Sequence, residues 1–191
     1  MLDALNKSEL RKKTFGKLAI RINPNIVTFL SLVAAVVAGY FFWQGFLWLA
    51  GLMVLLNGFL DIMDGEIAKK HGTSKFGDFI DHTFDRLADV AILLGITFHP
   101  NIPNWLGFAT IIAVLLVSYM GTQAQALTKK RLYTAIASRA DRILILGFAG
   151  IIAAFYLDAL YWAIWLLLVL SVLTFFQRFY LISRQLTKES S

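Results

Sequence analysis

Six apolar stretches, each near the length of a bilayer crossing, leave this chain few architectures: residues 26–42, 46–67, 76–98, 104–127, 142–157 and 161–183. A helix needs about 20 largely apolar residues to cross the hydrocarbon core. Hydrophobic residues make up 58 % of the 191-residue chain and charged residues 16 %, whereas ordinary soluble domains are about 45–50 % apolar. The expectation is an all-α integral membrane protein, one membrane-embedded domain over residues 1–191. Six transmembrane helices would occupy 26–186, preceded by an amphipathic interfacial helix over 1–22.

The connectors orient the bundle. WQGF, HPNIPNW and 158–160 contain no Lys or Arg; the basic residues collect at the N-terminus, in 69–75, in 129–142 and in 178–188. Six spans put all four basic regions on one side, which the positive-inside rule makes the cytoplasm, with both termini in it. The net charge of +6 is then an orientation signal and not a nucleic-acid surface. The N-terminal MLDALNKSELRKKTFGKLAIRI lacks the compact apolar run and cleavage site of a signal peptide. Its apolar positions Leu2, Leu5, Leu10, Phe15, Leu18, Ala19, Ile20 and Ile22 alternate with basic ones, which suits a helix lying in the interface; the other reading is a solvated basic tail. Asn25 or Thr28 would cap the first span after Pro24. With no cysteine in the chain, disulfides and thiolate metal sites are excluded.

Against this background the acids are oddly placed. Seven of the twelve lie between Asp61 and Asp89, and ionised groups in a membrane protein are costly and usually functional. Asp61 and Asp64 are three apart at the end of the second span, and Asp81 and Asp85 four apart at the start of the third, so each pair shares a helix face. A short bend, HGTSK, brings the faces together. Four converging carboxylates require cations, and oxygen-only ligation favours Mg²⁺, Mn²⁺ or Ca²⁺ over zinc. Two such ions would suit in-line displacement at phosphorus. Gly65, Ala68 and Gly77 sit beside the acids, either for close approach of a ligand or for helix packing in lipid. Lys69 reads as a phosphate contact or as a topology charge. A divalent-cation transporter would also gather carboxylates, but it explains neither the glycines nor the position of the acids at the cytoplasmic ends.

The spacing D-x2-D-G-x2-A-K-x7-G-x3-D-x3-D, from Asp61 to Asp85, resembles the signature of the CDP-alcohol phosphotransferases. The six-span layout, the interfacial helix and the start at Pro24, Asn25 and Thr28 are similar to that family as well, over nearly the whole chain. Lys69 stands where the family usually has Arg, and the gap to Gly77 is slightly short. The resemblance implies two divalent cations, Mg²⁺ or Mn²⁺: Asp61, Asp64 and Asp81 around one, Asp61, Asp81 and Asp85 around the other. Gly65, Ala68, Lys69 and Gly77 would bind the CDP group. Asp85 would take the proton from the acceptor hydroxyl; that oxygen attacks the lipid-bearing phosphorus and CMP leaves.

Acceptor choice would lie outside the shared motif. Gln123, Arg139 and Arg142 are the candidates, the arginines for an acceptor phosphate. Inositol-phosphate-accepting relatives tend to carry Lys and Arg where this chain has Gly121 and Gln123. The text is most similar to archaeal members, which implies CDP-archaeol (or CDP-diacylglycerol) as donor and glycerol 1-phosphate as acceptor, with inositol phosphate the runner-up. A homodimer in the lipid bilayer, its active site on the cytoplasmic face of the cell membrane, completes what the resemblance implies. His82, beside Asp81, would point off the acidic face, with metal ligation the other reading; His99 reads as a bystander; Asp78 would cap the third helix; Asp89 would pair with Arg86 or a neighbouring helix.

Overall fold

A computed structural model describes residues 23–71, 74–128 and 136–189. They form six helices: α1 (Pro24–Trp43), α2 (Leu47–His71), α3 (Lys75–Thr97), α4 (Asn104–Thr128), α5 (Arg139–Ala153) and α6 (Asp158–Glu189). Among the described residues there is no strand. The expected interfacial helix over 1–22 lies outside them.

Local chemistry sets the helix starts. The Asn23 side chain caps α1 by accepting from the Asn25 N–H at 3.0 Å, with Pro24 opening the first turn. Neither Asn25 nor Thr28 is the cap: Pro24 already has helical φ and needs no N–H there, so the helix begins two residues before the expected residue 26. Thr28 Oγ1 instead donates to the Pro24 carbonyl at 3.1 Å. Ser74, not Asp78, caps α3, accepting from the Gly77 N–H at 2.9 Å. Asp78 falls within the first turn, where its charge meets the positive end of the helix dipole. Ser138 and Asp141 form a reciprocal capping box that fixes the start of α5. Gly45, at φ 80°, makes the left-handed turn between α1 and α2.

The helices close a ring in which α1 packs on α2, α2 on α5, α5 on α6, α6 on α4, α4 on α3, and α3 back on α1. Small residues face inwards and large ones outwards. On α1, Ala35 and Ala38 are fully buried while Phe29, Val36, Tyr40 and Trp43 are more than half exposed, the pattern of a helix whose outer face meets lipid. A Cβ at Gly95 would collide with the backbone of Gly39, and one at Gly39 with the Ala91 carbonyl, so α1 and α3 touch main chain to main chain. Gly51 and Gly150 seat α2 on α5 in the same way. Asn57 on α2 donates to the Ser31 carbonyl at 2.9 Å and to its hydroxyl at 2.8 Å, tying α2 to α1.

By length and composition α1, α2, α4 and α6 can cross a membrane. Of the six expected spans, these four have that length and composition. In α3 the first two thirds carry Lys75, Asp78, Asp81, Asp85, Arg86 and Asp89. In α5, 15 residues at 1.5 Å each reach only about 22 Å, short of the roughly 30 Å core.

Candidate active site

Both carboxylate pairs converge where the C-terminal part of α2 meets the N-terminal half of α3. One carboxylate oxygen from each of Asp61, Asp64 and Asp81 lies within 4.8 Å of the others, and Asp81, His82 and Asp85 form a second such group. Asp64 is buried at 4 % exposure, beside Thr28 of α1, and its Oδ2 has no hydrogen-bond partner. Two like charges 4 Å apart repel by about 4 kcal/mol at an effective dielectric constant of 20, so three acids this close demand positive charge.

Part of that charge comes from α5. Arg139 Nη1 lies 2.5 Å from Asp61 Oδ1 and 3.0 Å from Asp85 Oδ1, and its Nε 3.5 Å from Asp89 Oδ1. Arg142, 8 % exposed, pairs with Asp89 Oδ2 at 3.2 Å. The capping box at Ser138 aims both arginines inwards by fixing where α5 begins. Asp89 thus pairs with the neighbouring helix; Arg86 donates instead to the His82 carbonyl at 2.8 Å. Five carboxylates meet Arg139, Arg142 and, at 3.7 Å from Asp85, Arg86, which leaves two negative charges over. The acidic donor set and the partnerless Asp64 Oδ2 together fit divalent cations held by Asp61, Asp64, Asp81 and Asp85.

A cleft of about 200 Å³ opens beside this cluster, lined among others by Asn25, Thr28, Gly65, Ala68, Lys69 and Gly77. The four residues expected to bind CDP all lie on its wall. At Gly65 a Cβ would meet nothing within 4 Å, so helix packing does not account for that glycine; at Gly77 it would come to 3.1 Å of Ser74 Oγ. His82 lies 3.7 Å from both Asp78 and Asp81. His99, outside the site, is buried; burial lowers its pKa, and its Nδ1 accepts from the Asn101 N–H at 3.3 Å.

Comparison with known proteins places this arrangement. Residues 21–176 match the model of the CDP-alcohol phosphatidyltransferases. The chain belongs to that family. The archaetidylinositol phosphate synthase of Pyrococcus horikoshii is 35 % identical over 169 residues, 88 % of this chain and 86 % of that protein. The phosphatidylinositol phosphate synthase of Mycobacterium tuberculosis with CDP-DAG bound superposes with a TM-score of 0.76 at 27 % identity, over 87 % of this chain and 89 % of that one. The same synthase with manganese and citrate gives 0.77 at 26 %, over 87 % and 85 %. This phosphatidyltransferase is thus a metal-dependent, multi-pass membrane enzyme of phospholipid synthesis that uses a CDP-alcohol donor and Mg²⁺ or Mn²⁺. The transporter alternative falls away.

In this phosphatidyltransferase Lys69 pairs along its own helix with Glu66 at 2.9 Å and is 64 % exposed. Such a surface pair contributes little, so the ammonium is free to turn to an incoming phosphate. The cleft lining does not include Gln123, which lies half-buried on α4. Sequence reasoning missed Arg178 of α6. Its Nη1 donates to the Val117 carbonyl of α4 at 2.7 Å, its Nε is buried without a hydrogen-bond partner, and Arg142 and Arg86 lie close enough to repel it. A Cβ at Gly121 would come within 2.9 Å of Arg178 Nη1. That small residue was the one signal available, and it was readable only as a departure from the inositol-type pattern.

Proposed function

We propose that this enzyme transfers the lipid phosphate of CDP-archaeol, or of its diacyl counterpart, to inositol phosphate and releases CMP. Glycerol 1-phosphate, the acceptor expected first, gives way because the relatives described above are named as inositol phosphate synthases. One observation in this chain carries the same reading. The Lys and Arg missing at Gly121 and Gln123 are offset by Arg178, whose guanidinium rests in the space that Gly121 leaves open. With Arg86 and Arg142 it makes a cationic cluster suited to an acceptor phosphate.

Asp61, Asp64, Asp81 and Asp85 hold the cations, which when bound offset charge on the pyrophosphate. Gly65 lets the nucleotide lie against the α2 backbone, Ala68 and Gly77 complete that wall, and Lys69 meets a donor phosphate. Asp85, 16 % exposed and 3.0 Å from Arg139, takes the proton of the attacking hydroxyl. Arg139 and Arg142 orient the acids, and Gln123 remains available to a polyol. The active site and both termini face the cytoplasm, and the enzyme works as a homodimer.

The test is CMP release by purified enzyme with inositol phosphate, glycerol 1-phosphate and serine in parallel. Inositol phosphate should give the highest kcat/KM, EDTA should abolish turnover, and Asp85→Asn should lower kcat by about 10²–10⁴-fold. Arg178→Gln should raise the acceptor KM and leave the donor KM in place. A preference for glycerol 1-phosphate would overturn the acceptor assignment, and full activity in Asp85→Asn would remove that residue from its role.

A further inference from the structure

The two cation positions implied by the carboxylates are not alike in this chain. Asp61, Asp64 and Asp81 face one another with an ion pair to Arg139 at Asp61 and, among the described residues, none at Asp64, whose Oδ2 is partnerless. Between Asp61 and Asp85, by contrast, a positive group is already in place: Arg139 Nη1, at 2.5 and 3.0 Å from their oxygens. A guanidinium bridging two carboxylates does electrostatically what a metal ion would do there. It is also too bulky to share the space.

We propose that Arg139 holds the Asp61–Asp85 position in the metal-free enzyme, so that the two cations load with unequal affinity and the second enters only as Arg139 withdraws. The withdrawal has a destination. Arg139 Nε is already 3.5 Å from Asp89, which Arg142 anchors from the same helix, so a small rotation towards Asp89 keeps the guanidinium paired while it frees Asp61 and Asp85. This buried network therefore has two charge-paired arrangements, one without and one with the second ion. The inference rests on the two-cation reading of the site, and ion counting tests each separately.

The experiment is a Mn²⁺ titration of the full chain in detergent after EDTA treatment and chelator removal, with free Mn²⁺ read by electron paramagnetic resonance. Wild type should bind two ions, the second about tenfold or more weaker than the first. In Arg139→Gln the second should tighten by about tenfold or more, because a repelling charge at the ligand oxygens is gone. The same variant should melt lower than wild type in EDTA and recover with Mn²⁺. Arg139→Lys keeps the charge but lacks the fork that spans two carboxylates, so its second affinity should fall in between. Two equal affinities in wild type, or an unchanged or weaker second site in both variants, would overturn the role of Arg139. Binding of a single ion in wild type and in both variants would overturn the two-cation reading itself.

Discussion

A methyl group added at Gly65 would enter the cleft beside the carboxylates without touching protein, whereas at Gly39 or Gly95 it would strike the facing backbone. Alanine in a helix is favoured over glycine by up to about 1 kcal/mol. Gly65→Ala should therefore hold or raise the melting temperature while raising the KM for the CDP-linked donor about tenfold. A lower melting temperature with an unchanged donor KM would return Gly65 to a packing role. The sequence left these two reasons for a glycine open, since ligand approach and helix contact both ask for the same missing side chain. The convergence of Asp61, Asp64, Asp81 and Asp85 was legible because spacing along a helix fixes a shared face. Arg178 stayed hidden among the basic residues of 178–188, because its reach across to Val117 is a tertiary fact.

At the level of elements, hydropathy located all six helices, and the errors lie at their ends. Two capping residues a few positions apart, Ser74 and Asp78, are equally good candidates from sequence, and only the backbone path chooses. The contact of α1 with α3 was not legible, since glycines in apolar spans carry no label naming their partner. It yields a sharp expectation: Gly95→Ala, which drives a Cβ into Gly39, should cost about 1–3 kcal/mol as overpacking. Detergent-denaturation midpoints measure this, and an unchanged midpoint would mean that the α1–α3 seam can spread without penalty.

For the molecule as a whole, the two rims differ in chemistry. Trp43, Trp48, Trp105, Trp162 and Trp165 all lie at the rim opposite the carboxylates, where Trp105 and Trp165 pack edge to face at 5.6 Å. Indole rings prefer the membrane interface, while the arginines and acids gather at the other end. Because the chain contains no cysteine, single introduced thiols report sidedness cleanly. In intact cells an impermeant maleimide should label Gln44→Cys, and should label Gln185→Cys only after permeabilisation; the reverse pattern would invert the orientation. The ring order carries one more consequence. Both α2 and α3 pack on α1, so the helix they share, and not the chain that links them, holds the two carboxylate pairs in register. An interval before Gly77 shorter than the family's usual one is then compatible with acids that stay in register.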